Sequence, residues 1–124
     1  MDPAVETISR KRFDLEERTY QFARDCRDFV LRLPRTITNT EYGRQLTRSS
    51  GSQAANYIEA NESLTKKDFT HRIMLCRKET KESILWLRLC TVANNTNLQH
   101  EQTRLIDEGT QLMRIFGSIV VKSR

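Results

Sequence analysis

Apolar residues recur in steps of three and four over four long stretches of this chain, the period of helices that bury one face. Leu15, Phe22, Ala23, Cys26, Phe29, Val30 and Leu33 share a face and predict a first helix from about Asp14 to Leu33. Pro34 forces its predecessor toward extended geometry and ends it. The pattern then predicts a second helix from about Thr40, with Asn39 or Thr40 as N-cap, to Asn61. Here Leu46, Ser50, Ala54, Tyr57 and Ile58 share a face with Gly43. The run Ser49-Ser50-Gly51-Ser52 opposes this reading, because such residues favour turns. The helix survives there only if small side chains let a neighbouring helix approach closely.

A third helix is announced by Thr65-Lys66-Lys67-Asp68, a capping box with Asp in place of Glu. No Gly or Pro follows until after Ala93. Phe69, Ile73, Cys76, Thr80, Ile84 and Leu87 form its main stripe, and Leu75, Trp86, Leu89 and Ala93 a second one. A helix apolar on two sides needs two partners, the core and a second subunit. After the polar loop Asn94–Asn97, a fourth helix is predicted from about Leu98 to Val121. Its seam is Leu98, Gln102, Leu105, Gly109, Leu112, Phe116 and Ile119, widened by Ile106, Met113 and Val120.

Short connections favour antiparallel neighbours, so the expected fold is all-α, an antiparallel up-down-up-down four-helix bundle. The 124 residues suffice for one core, assigned to residues 13–124 behind a flexible lead-in over 1–12 that ends in Arg10-Lys11-Arg12. With 21 basic against 16 acidic residues, the net charge of +5 is a basic tilt, which attracts nucleic acid or an acidic partner. The N-terminus lacks the pattern of a signal peptide, and no apolar run has the length of a membrane span, so cytoplasmic residence is expected. Cys26, Cys76 and Cys90 show no C-x-x-C spacing and read as reduced, buried thiols.

Candidate chemistry is sparse. His71 and His100 have no partners at metal-ligand spacing, and no phosphate loop or nucleophile elbow is present. Neither a metal, a cofactor nor a catalytic residue is expected, and the protein is read as a non-enzyme. Glu79 and Glu82 share a side of the third helix; as carboxylates near apolar surface they need Arg or Lys from a neighbouring helix or subunit. A catalytic use of Glu59, Glu79 and Glu82 is the competing reading. Arg48, Asn56 and Glu59 are expected to join in one polar network that fixes helix register. Arg77, Lys81 and Arg88 fall within about 40° on a helical wheel. With Lys78 they make a basic stripe suited to phosphates, or else an ordinary solvated face.

The residues between Tyr42 and Leu89 also carry an ordered pattern. It runs through Tyr42-Gly43-Arg44-Gln45-Leu46-Thr47-Arg48-Ser49-Ser50, Ala54-Ala55-Asn56-Tyr57-Ile58-Glu59-Ala60, Ser63-Leu64-Thr65-Lys66-Lys67-Asp68-Phe69, Lys78-Glu79-Thr80-Lys81-Glu82-Ser83 and Trp86-Leu87-Arg88-Leu89. This order resembles the bacterial four helix bundle protein family, which includes proteins encoded in intervening sequences of 23S ribosomal RNA genes. More distantly it is similar to the accessory variability determinants of diversity-generating retroelements. Arg48, Asn56, Glu59, Lys67, Phe69, Glu79 and Glu82 fall on positions that recur in the family, whereas Ala60 stands where Gly is frequent. The resemblance implies a homopentameric ring of antiparallel bundles with a helical Ser49–Ser52 segment. From the retroelement relatives it implies association with RNA or a reverse transcriptase. The function expected is therefore a homo-oligomeric scaffold or binding protein that associates with RNA or DNA through its basic surface. The alternative is a protein-interaction module that assembles with a neighbouring gene product.

Overall fold

A computed structural model describes the backbone from Pro3 onward and the side chains from Asp14 onward. Four helices follow in order, α1 (Pro3–Arg32), α2 (Ile37–Asn61), α3 (Lys66–Leu89) and α4 (Thr96–Lys122), with no strand among the described residues. The lead-in expected over residues 1–12, with Arg10-Lys11-Arg12, lies outside the described side chains.

Contacts between neighbouring helices run in opposite chain directions. From α1 to α2, Gln53 donates to the Thr19 carbonyl and Asn61 to Glu16, while Val30 packs over Gly43. From α2 to α3, Arg72 donates to Asn56, Ser49 bonds Ser83, and Tyr42 stacks on Trp86. Gln102 reaches the Leu87 carbonyl from α4, and Gly117 lies beside Arg77. Arg18 and Arg104 close the circuit onto Glu108 and Asp25. The result is an antiparallel four-helix bundle in which each helix packs between two others.

Phe22, Cys26, Phe29, Leu46, Ile73, Cys76, Leu87, Leu98, Leu105, Leu112 and Phe116 fill the core. The Ser49–Ser52 stretch is helical. Close packing compensates its poor propensity: the Ser49 and Ser83 hydroxyls meet at 2.7 Å, a separation only short side chains allow between facing helices. Gly43 and Gly109 serve the same purpose, since a Cβ on Gly43 would stand 2.9 Å from Val30 Cγ1.

The α1 helix begins at Pro3 and not near Asp14, and two further boundaries differ from the sequence pattern. The N-cap of α2 is Thr36, whose Oγ1 accepts from the Asn39 N–H at 3.1 Å. Asn39 is instead buried and holds the α3–α4 connection: Nδ2 donates to the Thr91 carbonyl, and Oδ1 accepts from the Thr91 N–H, each at 2.9 Å. Held this way, the chain leaves the helix at Cys90, so α3 stops before Ala93, which takes a left-handed φ of 53°. Gln102 then donates to the Leu87 and Cys90 carbonyls and satisfies the end of α3. Ile58, expected on the buried face, is exposed, and Gln53 occupies the core in its place.

Candidate interaction surface on α3 and α4

The cysteines offer no exposed nucleophile. All three are free and buried, and loss of solvent pushes the thiols up, to about 12 at Cys76 and about 11 at Cys90. No cluster of His, Cys, Asp and Glu suited to a metal occurs among the described residues. His71 and His100 are both exposed.

The carboxylates divide by position. Glu79 is buried on the flank of α3 that faces α2, and Arg48 Nη1 lies 3.4 Å from its Oε2. Arg48 Nη2 lies 3.5 Å from Glu82 Oε2, so one guanidinium bridges both. Asn56 takes no part in this cluster; it donates to Ser52 and accepts from Arg72 Nη1 at 3.1 Å. Glu59 is exposed and makes no side-chain bond among the described residues. The single network expected over Arg48, Asn56 and Glu59 is thus two separate pairings, with Glu59 outside both. The reason is geometric: Arg48 reaches sideways to α3, while Glu59 turns toward solvent.

Arg77, Lys78, Lys81 and Arg88 are all exposed, and none is ion-paired among the described residues. Several other arginines are paired, Arg18 with Glu108, Arg44 with Glu41, Arg48 with Glu79 and Glu82, and Arg104 with Asp25 and Glu101, whereas Arg32, Arg35 and Arg114 have no ion pair among the described residues. Three of the four α3 cations border a groove of about 770 Å³ between α3 and α4. Met74, Val120 and Val121 line it, Gly117 opens it toward Arg77, and its lining holds no Asp or Glu side chain, although Glu82 borders the depression that follows it. A second depression continues past Leu85, Met113 and Arg88.

Sequence periodicity did not single out the apolar part of this surface. Met74 is 54% exposed, Leu85 45% and Val121 61%. The signal was present in the spacing, because Met74, Lys78, Lys81 and Leu85 stand at i, i+4, i+7 and i+11 on one side of α3. The second apolar stripe expected on α3 is split by the structure. Trp86 stacks on Tyr42 of α2 with ring centres 5.9 Å apart, Leu75 borders the groove, Leu89 is exposed, and Ala93 lies beyond the helix.

A solved structure shares this architecture at a TM-score of 0.72, with 20% sequence identity over 86% of this chain and 97% of the other. It is a protein of unknown function from the S23 ribosomal protein family of Bacteroides thetaiotaomicron. The likeness establishes the fold. No protein-family model and no curated protein matches the chain. No helix among the described residues is long and apolar enough to cross a membrane.

Proposed function

We propose that the chain is a non-enzymatic, homo-oligomeric scaffold of the 23S rRNA intervening-sequence type, acting in the cytoplasm. The observation that carries this reading is the outer surface of α3 and α4. Exposed apolar residues Met74, Leu85 and Val121 alternate there with unpaired Lys78, Lys81 and Arg88. Apolar surface interleaved with unsatisfied charge is the character of a protein contact awaiting its partner. The fold shared with an S23-family protein supports the type, and the order of motifs from Tyr42 to Leu89 supports a ring of five subunits. Size-exclusion chromatography with light scattering tests the reading: a molar mass several times the 14.6 kDa chain is expected. A monomer at high concentration would overturn it.

A second reading is favoured by the same cations. Arg77, Lys78, Lys81 and Arg88 on one helix suit the phosphates of RNA or DNA, a partner that fits a reverse-transcriptase or ribosomal RNA context. Reversing Arg77, Lys81 and Arg88 to Glu is then expected to lower nucleic-acid affinity and flatten its salt dependence. Unchanged affinity and slope would remove the stripe from consideration as that surface. A catalytic use of Glu59, Glu79 and Glu82 has less support, because two of them share Arg48 and the third stands apart.

A further inference from the structure

We infer that the α3–α4 groove receives the outer face of α2 from a second copy of this chain. The inference rests on the self-assembling reading above and names the two surfaces that would meet.

The C-terminal half of α2, together with its C-cap residue Glu62, carries a stripe with the same spacing as the one on α3. Gly51, Ala55, Ile58 and Glu62 stand at i, i+4, i+7 and i+11, all exposed, with Glu59 beside them. Ile58 is 54% exposed. A Cβ built on Gly51 meets nothing within 4 Å, so the fold of the single chain gives this mid-helix glycine no packing role. Gly51 and Ala55 leave the helix surface low, which admits close approach to another helix. Glu59 and Glu62 have no ion pair among the described residues, and no cation occurs between Gly51 and Leu64. Arg72, the nearest arginine across the α2–α3 boundary, donates to Asn56 instead.

The two stripes complement each other in three ways. Both present apolar surface, Ile58 on one and Met74, Leu85 and Val121 on the other. Their charges are opposite and similarly spaced: Glu59 and Glu62 are three residues apart, as are Lys78 and Lys81. Their lengths agree, since eleven residues of helix span about 16 Å. Phosphodiester chains satisfy the charges but leave the aliphatic floor uncovered, and no Phe, Tyr or Trp borders the groove, whose one ring is the imidazole of His71 at its edge. A second copy satisfies both.

The test uses the full chain, the variants Glu59→Lys/Glu62→Lys and Lys78→Glu/Lys81→Glu, and their equimolar mixture. Light scattering gives the mass, absorbance ratio reports co-purified nucleic acid, and circular dichroism confirms that each variant melts cooperatively. All substituted side chains are exposed, so both variants are expected to fold. Wild type should assemble, each variant should fall toward 14.6 kDa because like charges now meet, and the mixture should rise above the mass of either variant alone. An assembled wild type whose variants keep its mass would overturn this pairing of surfaces and leave the self-assembling reading intact. A monomeric wild type would remove both. If wild type carries nucleic acid and Lys78→Glu/Lys81→Glu loses it with no change of mass, the groove belongs to nucleic acid and the inference falls.

Discussion

A methyl group added at Gly109 would stand 3.0 Å from Ile84 Cγ1 and 3.3 Å from Phe22 Cζ, where three helices meet. Overpacking of this kind costs about 1–3 kcal/mol, more than the roughly 1 kcal/mol of helix propensity gained over glycine. Gly109→Ala should therefore lower the denaturant midpoint. In the dissociated single chain, Gly51→Ala should raise it by the propensity alone, about 1 kcal/mol, because nothing in the chain lies within 4 Å. Paired unfolding curves at unchanged m-value check both signs. Periodicity places Gly109 on the seam of the fourth helix and Gly51 in a serine run, but it does not show how near the neighbouring side chains come. Gln53 was illegible for a related reason. Its buried amide donates to the Thr19 carbonyl on α1 and to the Ser50 carbonyl, and the face read from periodicity on the second helix, which ran through Ser50, Ala54 and Tyr57, passed it by.

At the scale of elements, caps and connections departed most from the pattern. Thr65 was readable as an N-cap because its acceptor and donor are three residues apart, and its side chain does accept from the Asp68 N–H. Asn39 has the same local signature, but its partners are Thr91, in a connection far along the chain, and the Pro34 carbonyl. Local spacing contains no trace of that pairing. Asn39→Ala removes bonds from both sides of the Thr91 peptide in a part-buried setting, so a loss of about 2 kcal/mol is expected. Hydrogen exchange should locate the loosening at residues 90–95, joined to the start of α2. The helices themselves were legible because their stripes are long; the helical Ser49–Ser52 segment followed from the family resemblance and not from propensity, and its facing partner Ser83 gives the physical reason.

For the whole molecule, charge pairing is uneven around the bundle. The α1–α4 side is laced together: Arg18 reaches Glu108, while Arg104 contacts both Asp25 and Glu101. The hydrogen bond from Arg104 holds the Glu101 carboxyl below the ordinary carboxylate range. A depressed carboxyl contributes stability above its unfolded value and loses it as pH falls through the folded one. Acidification through the carboxylate range should thus lower the melting temperature, and Arg104→Gln should lose less over the same descent. The α3–α4 side has cations but few partners among the described residues. From the sequence the α3 cations were visible as a stripe. Their lack of partners was not, because pairing depends on what α2 and α4 bring alongside.

The burial of the three thiols has a practical consequence. Cys26 lies fully buried in the C-terminal third of α1, Cys76 in α3, and Cys90 at the point where α3 gives way to its connection. Each becomes reactive only when its own neighbourhood opens, so alkylation rates in native buffer act as three clocks on one molecule. Cys90, beside the connection that Asn39 secures, should label first. Cys26 should label only with global unfolding, and any ligand or second copy that clamps α3 onto α4 should slow Cys90 while leaving that global limit where the single chain sets it.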